Sequence, residues 1–85
     1  MLERWVREAC DALEIEPPTD TDALLDVARV VAHRIERRAA PVTTYLMGLA
    51  VLSHPETDLQ SVSRKLIRLA QAWRVEEQGK PQDRR

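Results

Sequence analysis

Ala39-Ala40-Pro41-Val42-Thr43-Thr44-Tyr45-Leu46-Met47-Gly48-Leu49-Ala50-Val51-Leu52 carries no charge, in an 85-residue chain of which 32% is charged. A half-buried strand alternates apolar and polar side chains, and this run does not. Pro41 suits the first turn of a helix, because its φ is already helical and its missing N–H would have no partner there. From Pro41 onward, at about 100° per residue, Val42, Tyr45, Leu46, Met47, Leu49, Val51 and Leu52 point in nearly every direction. A helix apolar all round is enclosed by its neighbours or spans a membrane. A span needs ~20 apolar residues, and this run is shorter. The sequence therefore predicts a short central helix wrapped by other helices. Gly48 costs that helix about 1 kcal/mol relative to Ala, which a close helix–helix approach would explain. Tyr45, if buried, needs a partner for its hydroxyl.

Outward from this run the chain reads as three amphipathic helices. Towards the N-terminus, a second helix is expected from about Thr21 to Arg38, capped by Asp20 or Thr21. Leu24, Val27, Ala28, Val31, Ala32 and Ile35 form its apolar arc. Asp22, Asp26, Arg29, His33 and Arg37 line the opposite, salt-bridged face, with acids first and bases later, as the helix dipole favours. Pro17-Pro18 separates it from a first helix, Leu2 to about Glu14, with Leu2, Trp5, Val6, Ala9 and Leu13 on one face. Towards the C-terminus, Ser53-His54-Pro55-Glu56 reads as a turn, and Ser53, Thr57 and Asp58 are competing caps. The last helix is expected to reach about Glu77, burying Leu59, Val62, Leu66, Leu69, Ala70 and Trp73. Trp5 and Trp73 each lie within an apolar stripe and are expected in the core, any exposed part of either being a candidate partner contact. The expectation is an all-α fold: one compact four-helix domain over residues 1–78, with a frayed polar tail over 79–85.

Composition narrows the function classes. A formal net charge of −1 argues against general nucleic-acid binding, which depends on neutralising phosphates. A local basic patch of Arg64, Lys65, Arg68 and Arg74 lacks interleaved aromatics or a recognition-helix pattern. Cys10 is the only cysteine, so it forms no internal disulfide and fits a reducing, cytoplasmic compartment. Glu3, Arg4, Arg7 and Glu8 break up the apolar core a signal peptide would need. One cysteine and two histidines without paired spacing predict no zinc site, and two glycines cannot supply a phosphate loop. No nucleophile elbow is present, and Asp26 and His33 are about 10 Å apart along a helix, too far for an acid–base dyad. The sequence thus reads as a non-enzyme without a cofactor.

One polar constellation remains. His33, Arg37 and Arg38 are expected to end the second helix, while Thr43 and Thr44 open the central one. A helix N-terminus offers free N–H groups and partial positive charge, so this corner is a candidate for a phosphate, a carboxylate or a protein partner. The bland reading is that the threonines satisfy local backbone groups and the arginines complement a helix C-terminus.

The segments LDVARVVAHRI, residues 25–35, and AAPVTTYLMGL, residues 39–49, resemble a small bacterial helical domain of unknown function. Similarity extends over about residues 2–74, on Asp26, Ala28, His33, Ala40, Pro41, Thr43 and Gly48. Arg38 departs from the pattern, which is expected to hold proline there. That domain occurs alone or fused to nucleotidyltransferases that make the guanine-dinucleotide form of the molybdenum cofactor. The resemblance implies an accessory role near that pathway, with a molybdenum-cofactor nucleotidyltransferase or a molybdoenzyme as partner. It transfers no catalytic residue. The alternatives are a binder of a nucleotide or pterin phosphate at the His33–Thr44 corner, and a homodimeric structural helical protein.

Overall fold

The computed structural model describes residues 1–73. They form α1 (Leu2–Leu13), α2 (Thr21–Arg34), α3 (Ala39–Ser53) and α4 (Leu59–Ala72), with no strand among the described residues. The all-α fold with four helices is as expected. The tail over 79–85 lies outside the described residues.

Local chemistry sets each boundary. After α1, Glu14 takes a left-handed conformation at φ 59°, ψ 45°. Its N–H donates to the Asp11 carbonyl at 3.2 Å, and the Ile15 N–H donates to the Cys10 carbonyl at 3.0 Å. This pair of bonds satisfies carbonyls that the helix end would otherwise orphan. Asp20 caps α2 by accepting the Ala23 N–H at 3.1 Å. Asp58 wins the competition to cap α4, accepting the Ser61 N–H at 2.9 Å. Ser53 instead closes α3.

Two helices end earlier than the sequence suggests. α2 stops at Arg34, not Arg38, because its apolar pattern ends with Ile35. Glu36, Arg37 and Arg38 are exposed and give a longer helix nothing to bury. They form a tight turn in which the Ala39 N–H donates to the Glu36 carbonyl at 3.1 Å and the Ala40 N–H to the Arg37 carbonyl at 3.2 Å. α3 consequently begins two residues before Pro41, which occupies its first turn. α4 ends at Ala72, and Trp73 is extended at φ −67°, ψ 134°.

Side-chain clasps give the topology. Gln60 Nε2, near the start of α4, donates to Asp20 Oδ2 at 2.8 Å, just before α2 begins. At the other end the Arg34 guanidinium donates to the Gln71 carbonyl at 2.6 Å. The starts of α2 and α4 therefore meet, as do their ends, so the two helices run in the same direction. α3 returns between them and packs on both. The core is Val27 and Val31 from α2, Met47 from α3, and Val62 and Ala70 from α4. Leu24, Ile35, Val51, Leu59, Leu66 and Ile67 pack around it.

α1 stands outside this unit. None of its Cα atoms lies within 8 Å of those of the other three helices. Its Leu2, Val6 and Arg7 instead line a hollow with Pro17 and Pro18 of the linker and Thr21 at the start of α2, and Cys10 is its one buried side chain.

Enclosure of the uncharged helix does not hold. Only Ala40 and Met47 of α3 are buried. Its inward arc carries mostly small residues (Ala39, Ala40, Thr43, Thr44 and Ala50, with Met47 and Val51). Val42, Tyr45, Leu46, Leu49 and Leu52 point outward, at exposures from 40% to 79%. Three helices suffice to make the core, and a helix packed on two neighbours buries one side only. Gly48 has no close neighbour either: a Cβ built there meets nothing within 4 Å. The Tyr45 side chain is exposed, and so are both tryptophans, Trp5 at 65% and Trp73 at 45%. Trp5 misses the core because α1 does, and Trp73 because it follows the end of α4.

Candidate functional site

The five residues singled out in the sequence do not converge on one concavity. His33, in the last turn of α2, lines a hollow with Arg29, Val30, Arg34 and Gln71. Thr43 lines a different hollow with Glu36, Arg38, Ala39 and Val42. Arg38 is engaged there, its Nε donating to Glu36 Oε1 at 3.2 Å. With the Arg38 side chain 90% exposed and that of Glu36 56% exposed, this pair adds little to stability. Thr44 donates its hydroxyl to the Pro41 carbonyl at 3.0 Å, the local bond expected of a helical threonine. Arg37 is exposed, and its carbonyl closes the turn.

The start of α3 also has little to offer an anion. The Ala39 and Ala40 N–H groups are spent on the turn, and Pro41 has none. Because α3 starts at Ala39, the amides of Thr43 and Thr44 belong to the helix interior, bonded towards residues four earlier. A carboxylate, Glu36, already occupies the rim of the hollow.

Charged groups elsewhere are surface features. Arg29 reaches Asp26 at 3.5 Å, and His54 lies 3.9 Å from Glu56, all well exposed. Arg64 on α4 donates to Gln60 Oε1 at 3.5 Å and to Ser61 Oγ at 3.4 Å. Arg64, Lys65 and Arg68 are exposed, and Arg74, the fourth member of the expected basic patch, lies outside the described residues. Among the described residues no three His, Cys, Asp or Glu side chains gather in a way that could hold a metal ion. Asp58 shows a clear electrostatic perturbation: the Ser61 N–H, then the Ser61 hydroxyl, holds its carboxyl below the ordinary range. That is a capping effect.

The surface that stands out is apolar. On α3, Val42, Tyr45, Leu49 and Leu52 recur at intervals of three, four and three, with Leu46 beside them, and form one stripe facing solvent. No charged side chain interrupts α3. The sequence signal for this face is size. In a run that is apolar all round, the bulky residues share the heptad-spaced arc, and alanines and threonines take the other. A second exposed apolar area lies on α1, where Leu2, Trp5 and Leu13 remain at 46%, 65% and 67% exposure. Monomeric soluble proteins seldom leave contiguous apolar patches beyond a few hundred Å² uncovered. No described helix is long and apolar enough to cross a membrane.

No curated protein and no solved structure matches the chain. A family described as a domain of unknown function, DUF6457, matches residues 1–79. With nearly the whole chain covered, the protein belongs to the DUF6457 family.

Proposed function

We propose that this chain is a non-catalytic protein-interaction module that works in the cytoplasm. The observation that carries the reading is the amount of large apolar side chain left uncovered on α1 around a core that α2, α3 and α4 complete without it. α1 is attached through a short proline-containing linker and displays Trp5 at 65% exposure. Aromatic residues of this kind supply a large share of binding energy when a partner desolvates them. Glu3 and Glu8 border this face, and Arg4, Arg7 and Asp11 fill the opposite side of α1, so the helix has one apolar side to offer a partner.

The partner favoured by the sequence resemblance is a nucleotidyltransferase of molybdenum-cofactor maturation, with the module serving as its accessory. Affinity purification of the tagged chain from its own cells, followed by mass spectrometry, tests this. The expected result is recovery of such an enzyme, or of a molybdoenzyme, and its loss on Trp5→Ala. Truncating a central tryptophan typically costs 2 kcal/mol or more of binding, about 30-fold. Recovery of neither enzyme ends the pathway assignment, and capture unchanged by Trp5→Ala ends the role of α1.

A further inference from the structure

We infer that the outward face of α3 is a self-association surface, and that the chain forms a two-fold dimer with two α3 helices packed antiparallel. Three observations support a second copy as the occupant. The first is spacing. Val42, Tyr45, Leu49 and Leu52 occupy the a and d positions of a heptad pattern on a helix already anchored to the core through Met47. With the two-fold axis beside Met47, Val42 of one copy faces Leu52 of the other, and Tyr45 faces Leu49. The seam therefore reads identically from both ends, which an isologous interface requires.

The second observation is charge. α3 has no acidic residue in its first turn and no basic residue in its last, and Ala39–Ser53 contains no ionisable group apart from the Tyr45 phenol. Edge positions of a coiled-coil seam ordinarily carry charges that choose the partner and its orientation. Here Pro41, Leu46, Gly48 and Ser53 occupy those edges. Such a seam meets no unpaired charge only on a face as uncharged as itself, and an identical copy supplies one.

The third observation is Gly48. It lowers helix propensity at mid-helix, is exposed, and has no atom from outside its own helical turn within 4 Å of the place a Cβ would occupy, among the described residues. No contact among the described residues needs a glycine there. A second helix approaching along that edge gains room from the missing side chain.

The available area sets the expected strength. Five large side chains at 40–79% exposure offer roughly 500 Å² per copy, hence about 1,000 Å² in a dimer, near the lower bound for a specific interface. The dimer should accordingly be reversible and concentration-dependent. It is independent of the hetero-partner assigned to α1.

Sedimentation equilibrium of the full chain over a dilution series from about 1 mM to about 1 µM tests the inference across the affinity range such an area supports. The expected result is a mass rising towards twice 9.7 kDa with concentration. Tyr45→Glu and Leu52→Glu, each at a well-exposed position, should hold the chain at monomer mass with an unchanged helical circular-dichroism spectrum. Gly48→Ala should weaken the dimer about tenfold while leaving the spectrum intact. A chain that stays at 9.7 kDa throughout overturns the inference. So does a dimer that survives both glutamate substitutions, since it would use another face. Trp5→Ala should leave the dimer mass unchanged, which separates failure of this inference from failure of the α1 reading.

Discussion

Single residues hold the helix ends, and two of them lead to predictions. Glu14 sits at φ 59°, a region where an L side chain is strained and glycine is not. Glu14→Gly should raise unfolding free energy by about 0.5–1 kcal/mol in urea titration, the strain relieved outweighing the added freedom of the unfolded chain. A loss of stability would mean that the Glu14 side chain does something beyond capping. At Asp58 the folded-state pKa lies below the ordinary value, because the ionised carboxylate accepts the Ser61 N–H. A depressed carboxylate adds stability that is complete above its unfolded pKa and disappears as pH falls through the folded one. Replacing it by asparagine, which caps without titrating, should therefore flatten part of the fall in melting temperature below about pH 4. Identical acid limbs for the two proteins would remove Asp58 from the account. The candidate polar residues were legible as types but not as a site. Arg37 and Arg38 lie beyond the end of α2, and Glu36, directly before them, pairs with Arg38.

At the scale of the element, α3 has two faces of unequal consequence. Met47 is fully buried among Val27, Val31 and Val62, so Met47→Ala should cost about 2–5 kcal/mol, as cavity-forming substitutions do. Leu52, at 79% exposure, packs on little of its own chain. Leu52→Ala, measured at a concentration where the chain is monomeric, should stay within about 0.5 kcal/mol of the parent. Comparable losses at both positions would show that the outer face is covered within the chain. Hydrophobicity alone did not distinguish these faces, because both are apolar. The distinction lay partly in side-chain volume, with alanine and threonine around Met47 and Val51 turned towards α2 and α4, and Val42, Tyr45 and the leucines turned away.

For the whole molecule, stability should divide between two units. α2, α3 and α4 share a core and are clasped at Asp20–Gln60 and Arg34–Gln71, whereas α1 contributes no residue to that core. Local opening free energies follow local packing. Hydrogen exchange should find the amides around Val27 and Met47 protected close to the global unfolding limit, and those of α1 exchanging through a much cheaper opening. Equal protection in α1 would mean that it is integral to the core. Both tryptophans should also emit close to tryptophan in water, given their exposures of 65% and 45%.

The sequence by itself determined the all-α class, the four described helices and the inner faces of α2 and α4 apart from Leu69, which is 55% exposed. These follow from local propensity, capping side chains such as Asp20 and Asp58, and an apolar period that selects one face whatever lies opposite. Tertiary structure alone decided which side of α3 is inside, that α1 stays apart, and that Trp5 and Trp73 are exposed. An apolar stripe records that a side chain favours leaving water; it does not record what will cover it. Here α2, α3 and α4 complete a core among themselves, so the large apolar side chains of α1 and outer α3 remain largely uncovered among the described residues, although their sequences carry the same signal as the buried ones.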